Sequence, residues 1–318
     1  MDLREILGIE YPIIQGAMAR IATGSFAAAM SNCGCMGIIA AGGLDAESLR
    51  REIRMAKSLT DKPFGVNLML MDKNSEACAQ VIIQENVKFV TTGAGNPEQF
   101  IPAWKEAGIK VFPLAASCAM AKRFERSGAD GIIAEGCESG GHVGELTTMA
   151  LVPQVVDAVN VPVVAAGGIA DGRQMLAAFA LGACGVQIGT ALLASSECPI
   201  HENYKSAVIR AKDIDSVVTG RIGGTPVRIL KNQMSRQYIA KEKQGATKEE
   251  LESYTLGALT KAVSHGDTEN GSLMAGQVSG MLKEIRPAEA IIQSMFGGCL
   301  DIYSNLGKSS LLKKTNLL

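Results

Sequence analysis

Eight short apolar runs, each followed by a glycine or polar break and then by a helical pattern, constrain the fold of this 318-residue chain most. Most runs are apolar at consecutive positions, as expected for parallel strands buried on both faces. Amphipathic helical patterns such as 46–59 and 172–183 separate them. Eight parallel strands alternating with helices predict an α/β protein with a TIM (β/α)8 barrel. The runs are residues 11–15, 36–41, 63–70, 87–93, 109–115, 130–135, 161–168 and 184–190.

The pattern changes after residue 200. Residues 201–318 contain helical patterns near 247–263 and 286–297, and this segment is too long for one further strand–helix unit. We therefore expect the barrel within residues 1–200. Residues 201–318 are expected to form an appended helical cap subdomain over the barrel mouth, followed by a final helix that packs on the barrel.

Composition excludes several classes of protein. The net charge of −1 argues against a nucleic-acid or membrane partner, and no apolar stretch approaches the ~18 residues that would span a bilayer. The eight cysteines are dispersed, and the charged first residues lack an apolar signal core, so a secreted disulfide framework is excluded. No second cysteine pair or nearby histidine joins Cys33 and Cys35 in a metal site. We predict reduced thiols, no bound metal and a cytoplasmic location.

Six of the strand runs are followed by stretches rich in glycine and polar residues, which predicts a functional site at the carboxyl face of the barrel. The exits of the last two strands, in AAGGIADG and QIGT, suit a phosphate held by backbone N–H groups at a helix N-terminus. Asp171 is expected to cap that helix. Rossmann and P-loop glycine motifs are absent from the sequence. The predicted phosphate-binding residues are Gly167, Gly168, Gly189 and Thr190.

Longer motifs carry a family resemblance. YPIIQGAMARIATG, KPFGVNLML, VTTGAGNP, AEGCESGGHVGELTT and PVVAAGGIADG resemble the nitronate monooxygenase-like flavoprotein superfamily. Within it, the chain most resembles the enoyl-acyl-carrier-protein reductase II family, through HENYK, LKNQ and HGDTENGSLMAGQVSG. The resemblance covers nearly the whole chain. It implies bound FMN, NADH or NADPH as electron source, a homodimer, and a monovalent cation for which the sequence shows no ligand set.

The resemblance also implies where the flavin lies. Its phosphate would fall on the residues already predicted to bind phosphate. Its ring would lie against the backbone after the first strand, an amide side chain after the third, and the SLMAGQ motif of the cap. These residues are Gly16, Ala17, Met18, Asn67, Met274 and Gln277. For Met274, ordinary helix packing is an open alternative.

His142 is the predicted catalytic residue. It follows the sixth strand run, and glycines at 140, 141 and 144 let its loop approach a ring closely. Pro153 is tolerated best in the first turn of a helix, so we expect a long loop from residue 136 to about 148. An imidazole can polarise a thioester oxygen or donate a proton near neutral pH, and both roles stay open. Glu135 is expected to hold the loop, and Glu138 either to join it or to face solvent.

The resemblance implies reduction of the 2,3-double bond of enoyl thioesters in bacterial type II fatty-acid synthesis. Two alternatives stand beside this function. A nitronate monooxygenase would use His142 as a base, but Val143 stands where arginine usually follows the histidine of those enzymes. The chain could also be a non-catalytic flavin-binding protein.

An acyl carrier protein is acidic, so a basic docking surface is expected. Residues 205–243 contain nine Lys and Arg against three acids, a net charge of +6 that leaves −7 for the rest of the chain. We expect this segment to dock the carrier, with Arg228 and Lys231 among the contacts; a solvated helical face is the alternative.

Overall fold

The computed structural model describes residues 2–223 and 225–306. The strands are β1 (Ile13–Gln15), β2 (Gly37–Ala40), β3 (Phe64–Met69), β4 (Phe89–Gly93), β5 (Lys110–Ala115), β6 (Ile132–Glu135), β7 (Gly141–His142), β8 (Val163–Ala166), β9 (Gly185–Ile188), β10 (Ser216–Thr219) and β11 (Val227–Leu230). The helices of the barrel region are α1 (Leu3–Leu7), α2 (Gly24–Asn32), α3 (Ala46–Leu59), α4 (Ser75–Gln84), α5 (Ile101–Glu106), α6 (Cys118–Arg126), α7 (Thr148–Val156) and α8 (Gly172–Ala180). They are followed by α9 (Glu202–Arg210), α10 (Gln233–Lys243), α11 (Lys248–Thr255), α12 (Ala258–His265) and α13 (Ala288–Leu306), with 3-10 helices at Thr190–Ala194 and Gln277–Met281.

The predicted TIM barrel is confirmed. Eight parallel strands lie in the order β1-β9-β8-β6-β5-β4-β3-β2, and each falls within one of the eight apolar runs. A parallel bridge between Ile14 and Met36 joins β1 to β2 and closes the ring. Side chains on both faces of the strands are buried, so the apolar runs show no alternation.

Two helices confirm predictions that were made from capping residues and apolar spacing in the sequence. Helix α3 occupies residues 46–59 as predicted, with the Asp45 side chain accepting a hydrogen bond from the Ser48 N–H. Its buried residues Leu49, Ile53 and Ala56 recur at helical spacing. Asp171 caps α8 as predicted, in a capping box with Gln174. This box begins α8 directly after the glycines that follow β8.

Other helices differ from expectation. Residues 247–263 form α11 and α12 rather than one helix, because Gly257 adopts a left-handed conformation (φ 74°) between them. Helix α13 extends to Leu306 and packs on α8, where a Cβ on Gly172 would lie only 2.3 Å from the Cys299 nitrogen. Helix α7 begins at Thr148, five residues before Pro153, so the proline is inside the helix. The carbonyl left without a donor belongs to Met149, which is 69% exposed and can be hydrated.

The C-terminal region is mostly helical, as expected, but it also forms two strands that the sequence analysis did not predict. Strands β10 and β11 pair antiparallel, and β11 then pairs antiparallel with β7. The second pairing sets Val227 opposite His142 and Arg228 opposite Gly141. The loop after β6 is therefore an edge strand of a small sheet built by residues beyond 200. The division of the chain at residue 200 remains a prediction.

Arg228 is placed inside the fold, which corrects its assignment to an exposed docking surface. It is 6% exposed, and its guanidinium donates to the Cys137 carbonyl from Nε (3.1 Å) and Nη2 (3.0 Å). Nη1 donates to Ser216 Oγ at 3.1 Å. Lys205 of the same basic segment is also buried, at 4% exposure. The remaining seven basic residues of the segment are exposed: Arg210, Lys212, Arg221, Lys231, Arg236, Lys241 and Lys243.

The eight cysteines all carry free thiols, and burial raises the pKa of Cys33 to about 11 and that of Cys198 to about 12. These are packed thiols, as the sequence predicted. Among the described residues, no helix combines the length and the apolarity needed to cross a bilayer.

Replacing Arg228 by Met should destabilise the protein, because the Cys137 carbonyl and Ser216 hydroxyl would be left without their donor. The expected loss is about 1–3 kcal/mol of unfolding free energy. Arg236→Met is the matched control, since Arg236 is an exposed residue of α10 and its loss should change stability by less than about 0.5 kcal/mol. Urea unfolding measures both. Equal midpoints for the two variants would contradict the anchoring role of Arg228.

Candidate active site

One deep cavity lies at the carboxyl end of the barrel strands. Its volume is about 590 Å³, within the usual range for a small-molecule or cofactor site. Seven barrel strands and the residues directly after β1 supply its lining, and Leu259, Met274 and Val278 cover it from the C-terminal region. The cavity is therefore a joint product of the barrel and of residues beyond 200.

The structure brings ten of the eleven residues predicted for the site to this cavity. They are Gly16, Ala17, Met18, Asn67, His142, Gly167, Gly168, Gly189, Thr190 and Met274. Gln277 does not line it: the residue is exposed, and its backbone N–H donates to the Glu138 carbonyl at 2.9 Å. Gln277 of the SLMAGQ motif therefore anchors the His142 loop through its main chain and not through its side chain. Flavin contacts of all eleven residues remain predictions.

Two glycine turns form one wall of the cavity. Gly167 (φ 91°) and Gly168 (φ 73°) are both in left-handed conformations, and a Cβ on Gly167 would lie 2.6 Å from the Gly136 carbonyl oxygen. Within the described residues, the N–H groups of Gly167, Gly168 and Gly189 donate to no protein acceptor. Three free N–H groups beside the start of α8 form a site suited to an anion.

Thr190 ties this wall to the cap. Its Oγ1 accepts a hydrogen bond from the Gly276 N–H at 2.9 Å. A Cβ on Gly276 would meet the Glu138 carbonyl at 2.6 Å, so that glycine must remain small for the segments to approach. The hydroxyl hydrogen of Thr190 remains available to a ligand, as the predicted phosphate role requires.

Asn67 lies at the opposite wall. It is 9% exposed, and its Nδ2 donates to Thr91 Oγ1 at 2.9 Å. The Oδ1 atom accepts no hydrogen bond from the described residues and is left for a donor in the cavity. Thr91, in the middle of β4, was not predicted as a site residue because threonine is common within β-strands.

His142 lines the cavity from the strand β7. The side chain is reached by solvent, yet its partial withdrawal from water lowers its pKa below the usual value. The imidazole is therefore mainly neutral near pH 7, with one ring nitrogen able to accept and the other able to donate. Its backbone is held by the pairing with Val227.

Glu138 holds the loop, which was one of its two expected roles, whereas Glu135 differs from expectation. The Glu138 carboxylate accepts hydrogen bonds from the Thr148 N–H (2.9 Å) and from Thr148 Oγ1 (3.0 Å), so it fastens the loop to the start of α7. Glu135 lines the cavity instead. Burial raises the pKa of Glu135 to about 7, although the neighbouring Ser139 hydroxyl opposes that shift.

The His142 loop is further fixed by close packing. A Cβ on Gly140 would lie 2.8 Å from the Ala275 Cα, so the loop backbone rests directly on the SLMAGQ segment. The Val143 N–H donates to the Pro226 carbonyl at 3.2 Å, and Arg221 pairs with Glu145. These contacts show that the glycines of this loop serve close approach, and that the loop is held on three sides.

Comparison with known proteins supports a redox site. The family model described as nitronate monooxygenase matches residues 1–80 and 74–298. A probable nitronate monooxygenase of Staphylococcus aureus (strain MSSA476) is 33% identical, with 92% of this chain and 95% of the relative covered. A (3aS,4S,5R,7aS)-5-hydroxy-7a-methyl-1-oxo-octahydro-1H-indene-4-carboxyl-CoA dehydrogenase of Mycobacterium tuberculosis (strain ATCC 25618 / H37Rv) is 30% identical, with 98% of both proteins covered.

Solved structures give the same grouping. FabK from Thermotoga maritima superposes with a TM-score of 0.94 at 44% identity, over 96% of this chain and 98% of that one. Nitroalkane oxidase from Streptomyces ansochromogenes superposes with a TM-score of 0.84 at 28% identity, over 96% and 99%. With a matching family model over most of its length and a histidine-bearing cavity at the barrel mouth, the chain belongs to the nitronate monooxygenase family of oxidoreductases.

Proposed function

We propose that this protein is an FMN-dependent enoyl-acyl-carrier-protein reductase, which uses NADH or NADPH to saturate the 2,3-double bond of enoyl thioesters in fatty-acid synthesis. The observation that carries the proposal is the 44% identity to FabK, an enoyl-acyl-carrier-protein reductase II, over 96% of the chain. Relatives named for nitronate or nitroalkane oxidation reach only 28–34%. Val143 after the histidine supports the same choice.

The cavity fits FMN. The three free N–H groups of Gly167, Gly168 and Gly189 suit its phosphate, and a side chain at Gly167 would fill that cradle. The backbone of Gly16–Met18 would support the ring, and Asn67 Oδ1 would accept a hydrogen bond from it. When bound, FMN would supply the hydride that it takes from the nicotinamide.

His142 has the chemistry that the remaining step needs. As hydride reaches the β-carbon, negative charge develops on the thioester oxygen and the α-carbon requires a proton. A neutral imidazole in a partly dry cavity can donate a hydrogen bond to that oxygen or pass a proton to that carbon. The largely apolar walls would keep water from the reacting atoms.

The carrier protein would dock on the exposed basic residues of the 205–243 segment. Buried Arg228 and Lys205 take no part, so Lys231 and Arg236 represent this surface. A homodimer and a cytoplasmic location belong to the same proposal.

A substrate comparison tests the proposed activity. FMN-loaded protein should oxidise NADH or NADPH under anaerobic conditions when crotonyl-CoA is added, and should show little oxygen uptake with an alkyl nitronate. The opposite pattern would favour a nitronate monooxygenase with His142 as base. A protein that binds no flavin, or that holds oxidised flavin inert to both nucleotides, would contradict both enzymes.

Gly167→Ala should lower the flavin occupancy of purified protein at least tenfold at limiting FMN. The new methyl group would both meet the Gly136 carbonyl and strain a φ of 91°. Gly108→Ala is the matched control, since it introduces a similar left-handed strain (φ 70°) where nothing lies within 4 Å of the new atom. Fluorescence titration with FMN measures both variants. Equal affinities would remove the phosphate site from this turn.

His142→Asn should slow enoyl reduction about 10²–10⁴-fold while flavin reduction by NADH changes little, because only the second half-reaction needs the imidazole. His265→Asn is the control: His265 is exposed at the end of α12 and does not line the cavity. Stopped-flow absorbance separates the half-reactions. A His142 variant that reduces crotonyl-CoA at the wild-type rate would contradict the assignment.

A further inference from the structure

Glu135 is a carboxyl group in the cavity that the proposed reaction has not yet used. It stands at the carboxyl end of β6 and lines the cavity together with His142. Among the described residues no ion pair involves it, and the group that approaches its carboxyl is the Ser139 hydroxyl. The two glutamates that are buried from solvent are satisfied: Glu85 by Arg50, Arg54 and Lys57, and Glu242 by the N–H groups of residues 222 and 223. An unpaired carboxyl at the cavity wall therefore calls for a functional explanation.

The surroundings of Glu135 favour its neutral acid. Burial raises its pKa to about 7, and the only opposing influence is Ser139. The charged or titratable groups on the neighbouring elements are His142 on β7, Glu138 in the loop and Arg228 on β11, and none of them contributes to this shift. With a pKa raised to about 7 by burial, this carboxyl can hold or release a proton in the physiological range.

Ser139 lies between the acid and the imidazole in sequence and lines the same cavity. Its Oγ is buried and lies near the Glu135 carboxyl, but it completes no hydrogen bond of normal geometry within the described residues. An unsatisfied buried hydroxyl is rare in a native protein, and a hydroxyl can accept one proton while it donates another. It is the group of the loop best suited to connect Glu135 with His142.

We propose that Glu135 is the proton reservoir of this site and supplies its proton, through the Ser139 hydroxyl, to His142 for delivery to the α-carbon of the substrate. The proposal rests on the proposed enoyl reduction. The substrate π bond breaks, and two C–H bonds form: one from the hydride at the β-carbon and one from this proton at the α-carbon. The nicotinamide is oxidised, the enoyl thioester is reduced, and the Glu135 carboxylate recovers its proton from solvent.

This arrangement explains why the site holds two titratable groups. Burial lowers the pKa of His142, so the imidazole passes a proton on but rarely stores one at neutral pH. Glu135 in its acid form stores the proton without placing a charge in the cavity. At other enzyme sites too, different environments set the pKa values of two neighbouring titratable groups for different roles.

Glu135→Gln tests the proposal in the oxidative half-reaction with crotonyl-CoA. In the wild type this rate should fall as pH rises through about 7, where the acid form is lost. The variant should be at least tenfold slower below that pH and should lose the dependence. Glu106→Gln, at an exposed residue of α5 that does not line the cavity, should keep the wild-type profile. Ser139→Ala should slow the rate and move its pH midpoint upward, since the hydroxyl that opposes the raised pKa of Glu135 is lost while the reservoir remains.

Thermal unfolding of cofactor-free protein supplies a readout that needs no turnover. The folded-state pKa of Glu135 is raised above its unfolded value of 4.5, so this group makes the wild type progressively less stable as pH rises from about 4.5 to 7. Glu135→Gln should therefore raise the melting temperature at about pH 8.5 by a few degrees and change it little at about pH 5.

The outcomes separate the two proposals. A wild type that fails to reduce enoyl thioesters overturns the proposed function and, with it, the proton transfer, whatever Glu135→Gln does. A wild type that reduces crotonyl-CoA while Glu135→Gln keeps its rate and pH profile overturns the reservoir alone. An unchanged melting temperature of the variant at high pH would show that the carboxyl is hydrated, which also overturns it.

Discussion

The pairing of β7 with β11 is the contact on which the site depends. It places two residues of a glycine-rich loop, one of them His142, in register with a strand about ninety positions further along the chain. Arg228 reinforces the pairing by donating two hydrogen bonds to the Cys137 carbonyl. Backbone hydrogen bonds and a buried guanidinium together fix a segment that would otherwise be free. His142 is thus carried by the barrel and positioned by the C-terminal region.

Close backbone packing joins the barrel loops to the C-terminal region at a second place. Gly140 rests on Ala275, Gly276 rests on Glu138, and Thr190 accepts from the Gly276 N–H. Each contact requires a residue without a side chain on at least one partner. The cavity walls are therefore rich in glycine, which leaves N–H groups for an anion, and most of their side chains are apolar. His142 and Glu135 are the titratable side chains among its lining residues.

The electrostatics of the site follow from this construction. A cavity lined by glycine, alanine and methionine solvates charge poorly, so the pKa of the imidazole is lowered while that of the carboxyl is raised. Near neutral pH the imidazole is mainly uncharged, and the carboxyl is divided between its acid and its carboxylate form. The proposed reduction and the proposed proton reservoir both depend on this poor solvation of charge in the cavity.

The sequence by itself determined the barrel, because eight buried strands leave uninterrupted apolar runs and helices such as α3 and α8 begin at their own capping residues. It also located His142 and the glycine turns, since these lie at strand ends whose position the barrel fixes. Tertiary structure decided the features that leave no periodic pattern in the sequence. Strands β10 and β11 are only four residues each, and their partner is a two-residue strand, so they leave little local pattern. The roles of Glu135, Glu138 and Arg228 depended on which neighbours the fold brought to them, because the same charged side chain is solvated, buried or paired according to contacts between distant segments.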